Sequence, residues 1–61
     1  MTELEQLQRD ADTLIVSLRD DWSSLVNPST LPEAKEGIRI HMQWCMEELM
    51  GLWKQIEAFN A

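Results

Sequence analysis

The apolar residues between Ile38 and Phe59 recur at alternating spacings of four and three, as they do in a helix packed along one side. This pattern covers three heptads and constrains the fold more than any other feature. Its members are Ile38, Met42, Cys45, Leu49, Leu52, Ile56 and Phe59. A second row of Met46, Met50 and Trp53 widens the apolar arc beyond the width that one partner helix covers. The stretch predicts a long helix that needs more than one packing partner.

A second amphipathic helix is predicted nearer the N-terminus. Thr2 and Glu5 have the spacing of a capping box, and an apolar period begins directly after them. The apolar stripe of this helix consists of Leu4, Leu7, Ala11, Leu14, Leu18, Trp22 and Leu25. We expect this helix to cover about residues 3–26.

The segment 27–31 is predicted to be a turn. Pro28 disfavours the helical conformation of Asn27, and most of the turn-forming residues of the chain lie here. Thr30 and Glu33 repeat the capping-box spacing, with Pro32 in the first helical turn, where its missing N–H costs little. The second helix is therefore expected over about residues 32–60.

Two long helices joined by a short turn predict an all-α fold, with residues 1–61 forming a single antiparallel helical hairpin. Asp21 and Lys35 are expected to face each other in the seam and fix its register. The second helix is longer than the first, so we expect Ile56 and Phe59 to lack partners within the hairpin. A second copy of the chain would cover this surface and form a four-helix bundle.

The total composition supports assembly of this kind. A single core in a 61-residue chain supplies at most about 3–5 kcal/mol, and a lone cysteine allows no internal disulfide. The predicted homodimer interface consists of Met42, Met46, Leu49, Met50, Trp53, Ile56 and Phe59. The methionine row Met42, Met46 and Met50 is interpreted as core packing rather than as an adaptable binding surface.

The three tryptophans divide into two groups. Trp22 and Trp53 fall on or beside the apolar stripes and are expected in the core. Trp44 points away from the seam, beside Ile40, and is expected either in the dimer contact or as an anchor for another protein.

The charge distribution offers a second hypothesis. Eleven acidic and five basic residues give a net charge of −6, which opposes direct binding to nucleic acid or to anionic lipid. Asp20 and Asp21 lie near a helix C-terminus, where acidic residues are electrostatically disfavoured. Together with Asp10 and Asp12 they form either a solvated face or the contact surface of an acidic inhibitor, antitoxin or DNA mimic. Such an electrostatic complex would weaken steeply with added salt, whereas an apolar contact would not.

The sequence shows no catalytic or cofactor-binding pattern. His41 and Cys45 are spaced four apart on the second helix, with Glu48 close by, but a closed zinc site needs four ligands and the chain has no other His or Cys. We therefore predict no metal, no cofactor and no enzyme activity. A metal-dependent function through His41 and Cys45 is the further alternative, and it would be abandoned if zinc left the melting temperature unchanged. Neither a signal peptide nor a membrane span is evident, which predicts a cytoplasmic protein with Cys45 reduced.

The overall profile resembles a known group of proteins. The segment Thr2-Glu-Leu-Glu5, the acidic first helix, the proline-bounded turn and the tryptophan-rich second helix are similar to small acidic helical proteins of the accessory early regions of lambdoid bacteriophages. The resemblance implies a non-enzymatic protein that assembles through its helices and adjusts host or phage regulation by binding proteins. It implies no particular functional residue. We thus expect a homodimeric interaction module that binds a further protein.

Overall fold

The computed structural model describes residues 2–60. Helix α1 covers Glu3–Val26 and helix α2 covers Pro32–Asn60, and the two pack against each other as an antiparallel hairpin. The prediction of an all-helical, two-helix fold is confirmed, and α2 continues without a break through the apolar stretch. The chain measures 43 × 17 × 13 Å, and its long dimension equals the length of about 29 helical residues.

The N-terminus of α1 is capped by Thr2, as the sequence predicts. The backbone N–H of Glu5 donates to Thr2 Oγ1 at 3.1 Å. The Glu5 carboxylate accepts from the Thr2 hydroxyl rather than from its backbone N–H, which differs from the usual capping box.

The second predicted capping box, at Thr30 and Glu33, is wrong. The Thr30 hydroxyl donates instead to the carbonyl oxygen of Ser24 at 2.6 Å and satisfies an acceptor at the end of α1. Asn27 Oδ1 accepts from the Ser29 N–H at 2.9 Å and tightens the turn. Helix α2 then begins at Pro32, whose fixed φ angle suits the first helical position.

The hairpin has a thin core. Among the described residues the buried apolar side chains are Leu7, Ala11, Cys45 and Leu49. The two smallest, Ala11 and Cys45, are the most buried, which indicates that the helices approach most closely at their layer. Gly37 and Gly51 do not provide this approach, because a Cβ atom added at either would meet nothing within 4 Å.

Several predicted core positions lie outside the core. Trp22 is 57% exposed and Trp53 is similarly open, so the prediction that both are buried is wrong. Helix α1 is rotated so that Asp21, about 100° around the helix from Trp22, points towards α2. Asp21 contacts His41 rather than Lys35, and Lys35 has no ion pair within residues 2–60.

Candidate functional site

A cluster of three polar side chains lies at one edge of the seam, and its donor atoms come from both helices. Asp21 belongs to α1, whereas His41 and Cys45 stand one turn apart on α2. Their ligand-type atoms all lie within 4.8 Å of one another. Sequence spacing identifies His41 and Cys45 as a pair, but only the packing of the helices adds Asp21.

The contact between Asp21 and His41 connects the two helices. His41 Nδ1 lies 2.5 Å from Asp21 Oδ2. A carboxylate oxygen accepts, so this contact is a hydrogen bond to Asp21 in the tautomer of His41 that has its hydrogen on Nδ1. The Asp21 side chain is 20% exposed, which leaves it partly shielded from water. Asp21 is therefore occupied within the hairpin and is a weaker candidate for partner contact than Asp20, whose side chain is open.

Cys45 completes the cluster from the core side. Its Sγ lies 3.8 Å from both ring nitrogens of His41, and the residue is only 1% exposed. Burial raises the pKa of the Cys45 thiol, and the negative charge of Asp21 raises it further.

The sequence predicts no nucleophile beside a base. In the structure, however, the Cys45 thiol lies next to the His41 imidazole, and the imidazole contacts the Asp21 carboxylate, which is the order of groups in a catalytic triad. The thiolate is the nucleophilic form of cysteine, and the raised pKa keeps the Cys45 thiol protonated at neutral pH. A groove of about 310 Å³ that is open to solvent lies between the helices and is lined by Asp10, Thr13, Leu14, Trp44, Glu48 and Leu52, but none of the three cluster residues is among its lining residues. This geometry suits a ligand set better than a nucleophile.

The raised pKa of Cys45 predicts a stability that depends on alkaline pH. The folded chain holds the thiol proton more tightly than the unfolded chain, so this contribution is complete below the pKa of a free thiol, about 8.5. It is lost as the pH rises through the higher pKa of the folded state. Urea unfolding from about pH 7 to about pH 10, with chelator and reductant present, should show a larger loss for the wild type than for Cys45→Ala. Equal pH profiles would contradict the prediction.

An apolar surface occupies the opposite side of α2. Trp44 and Glu48 line the groove, and Met46 is two residues from each of them. Two residues correspond to about 200° around a helix, so Met46 lies nearly opposite the groove. Met50 and Trp53 continue this side at spacings of four and three. We call Met46, Met50 and Trp53 the methionine face, and each is about half exposed or more.

The other predicted interface residues differ in exposure. Met42 and Ile56 are partly buried, which corrects the expectation that Ile56 is uncovered, and Phe59 is about half exposed. Leu49 is buried between the helices at 8% exposure, so it is a core residue and not a free interface residue.

The predicted partner-contact residues lie elsewhere on α2. Ile40 and Trp44 are both exposed, and the Trp44 ring stacks on His41 with centroids 6.2 Å apart. Trp44 therefore belongs to the edge that holds the polar cluster, whereas the methionine face is separate from it.

No protein-family model matches this chain, and neither the curated proteins nor the solved structures include a match. Within residues 2–60, neither helix contains a stretch that is both long and apolar enough to cross a lipid bilayer.

Proposed function

We propose that this protein is a non-enzymatic helical module that forms a homodimer through the methionine face and binds a further protein. One observation supports this most directly. Within the described residues, four apolar side chains are buried while eleven large ones are nearly half exposed or more. Three of the exposed side chains, Met46, Met50 and Trp53, lie on one side of α2, and an exposed apolar patch on a soluble protein commonly marks an interaction site.

The size of the exposed surface agrees with this proposal. The accessible surface is 4712 Å², whereas a compact monomer of this mass exposes about 4,100 Å². The excess of about 600 Å² is close to the roughly 800 Å² that each partner contributes to a standard interface. The radius of gyration of 14.1 Å likewise exceeds the value of about 10.5 Å expected for a compact chain of this length.

A two-fold dimer accounts for the position of the apolar side chains. The methionine face runs along α2, so two copies related by a two-fold axis would set this face against itself and form a four-helix bundle. Met46 and Met50 are unbranched and fill irregular gaps, which suits such a contact. Phe59 is among the predicted interface residues, but it lies nine residues from Met50 and therefore about 180° around α2 from it, so it is not part of the methionine face.

Trp44 and Ile40 are the proposed contact for a second protein. They lie away from the methionine face and stay open when the dimer forms, and tryptophan is frequent among binding hot spots. An acidic inhibitor remains the alternative, because Asp10, Asp12 and Asp20 are exposed on α1. The engagement of Asp21 by His41 removes one carboxylate from that surface. The resemblance to phage accessory proteins stays a prediction.

Light scattering coupled to size exclusion tests the assembly. The chain has a mass of 7.1 kDa, so the proposed dimer has a mass of twice that value. We expect the dimer mass to persist at micromolar concentration and to be little affected by added salt, because the contact is apolar. A folded monomer under these conditions would refute the proposal.

A further inference from the structure

The side chains of Asp21, His41 and Cys45 have a donor set that transition metals bind. Carboxylate oxygen, imidazole nitrogen and thiolate sulfur are the three donor types found in zinc sites. Their atoms lie within 4.8 Å of one another and belong to two helices. We propose that these three residues form a binding site for Zn²⁺, or for Co²⁺ in its place, that cross-links α1 to α2.

The distances fit tetrahedral coordination after a small movement. Zinc bonds of about 2.0 Å to nitrogen and about 2.3 Å to sulfur place tetrahedral ligands about 3.6 Å apart. The observed distance of 3.8 Å from Cys45 Sγ to His41 Nδ1 is close to this value. The distance of 2.5 Å from Nδ1 to Asp21 Oδ2 must increase as the metal replaces the proton between them. His41 can supply that movement because its side chain is about half exposed.

The donors lie where the cluster is buried on one side and open to solvent on the other. A metal ion binds the thiolate, so it must displace the proton that burial holds on Cys45. Cys45 is almost fully buried, and among residues 2–60 the polar side chain that faces its sulfur is His41. The metal would sit at the exposed edge of the seam, with the thiolate beneath it and the fourth position open to water. Three protein ligands with water in the fourth position is the arrangement of catalytic zinc sites, whereas structural zinc sites have four protein ligands, so the ion proposed here would be held less completely than a structural zinc.

A metal at this position would stabilise the fold of a small domain. With four buried apolar side chains among residues 2–60, the hairpin has little core, and structural metals commonly support domains of this size. The metal would hold the last part of α1 against the middle of α2. The spacing of His41 and Cys45 and the seam position of Asp21 are both visible in the sequence, but only the packing of the helices shows that the three side chains meet.

Cobalt titration of the full chain under reducing, chelator-free conditions tests the site. We expect one Co²⁺ per chain, a thiolate charge-transfer band in the near ultraviolet, intense visible bands of a tetrahedral ion, and loss of these bands when Zn²⁺ is added. Cys45→Ala should abolish the thiolate band. His41→Gln and Asp21→Asn should weaken Co²⁺ binding more than about tenfold. Each variant is first checked for helical content. If Cys45→Ala fails to fold, His41→Gln and Asp21→Asn still test the site, because they change side chains at the exposed edge of the seam.

Asp20→Asn is the matched control, because it makes the same charge change one residue away on an open side chain. It should bind Co²⁺ like the wild type. Zn²⁺ should raise the melting temperature of the wild type and of Asp20→Asn but not of Asp21→Asn. The proposal fails if the thiolate band is absent, if Asp20→Asn and Asp21→Asn bind equally, or if Zn²⁺ leaves the wild-type melting temperature unchanged.

Discussion

Replacing Leu49 by alanine is expected to leave much of the chain unfolded at room temperature. Leu49 is one of four buried apolar side chains among the described residues, and the other large one is Leu7. Truncating a buried leucine lowers the free energy of unfolding by about 2–5 kcal/mol. That loss is comparable to the whole stability of a core of this size, about 3–5 kcal/mol.

Urea unfolding followed by circular dichroism measures this effect. Val16→Ala is a suitable control, because Val16 is an apolar residue of α1 that is about half exposed on its outer side. We expect Val16→Ala to change the free energy of unfolding by no more than about 0.5 kcal/mol. Similar midpoints for Leu49→Ala and the wild type would show that Leu49 does not belong to the core.

Replacing Met50 by aspartate is expected to convert the dimer into a monomer. Met50 is 57% exposed at the centre of the methionine face, so the single hairpin tolerates a charge at this position. In a two-fold interface the substituted residue enters the contact from both chains. Burying an unpaired carboxylate costs about 3 kcal/mol or more, which raises the dissociation constant by more than about a hundredfold.

Ile40→Asp is the control for this experiment. It places the same charge on the same helix at a residue that is 63% exposed and lies away from the methionine face. Light scattering should show a monomer for Met50→Asp and a dimer for Ile40→Asp, with equal helical content in both. The reverse result would place the dimer contact on the Trp44 side of α2 and refute the proposed interface.

Local sequence patterns determine the helices of this protein. Pro28 and Pro32 restrict the backbone on both sides of the turn, and Thr2 supplies the first cap. These effects act within a few residues, so they can be identified without knowing the tertiary fold. The apolar spacing along α2 likewise identifies the side that faces α1, because 3.6 residues per turn fix which residues share a side.

The apolar side of each helix is broad, and the tertiary structure determines which part of it faces the other helix. Trp22 and Asp21 are both predicted at the seam, but neighbours in sequence stand about 100° apart around a helix, and the rotation of α1 decides which of them faces α2 directly. The close packing of the small residues Ala11 and Cys45 settles this choice, since the helices can approach only where side chains are small. Asp21 therefore meets His41, which lies twenty residues away, and not Lys35. Spacing along one helix cannot predict such a contact, because it depends on how two helices are rotated against each other.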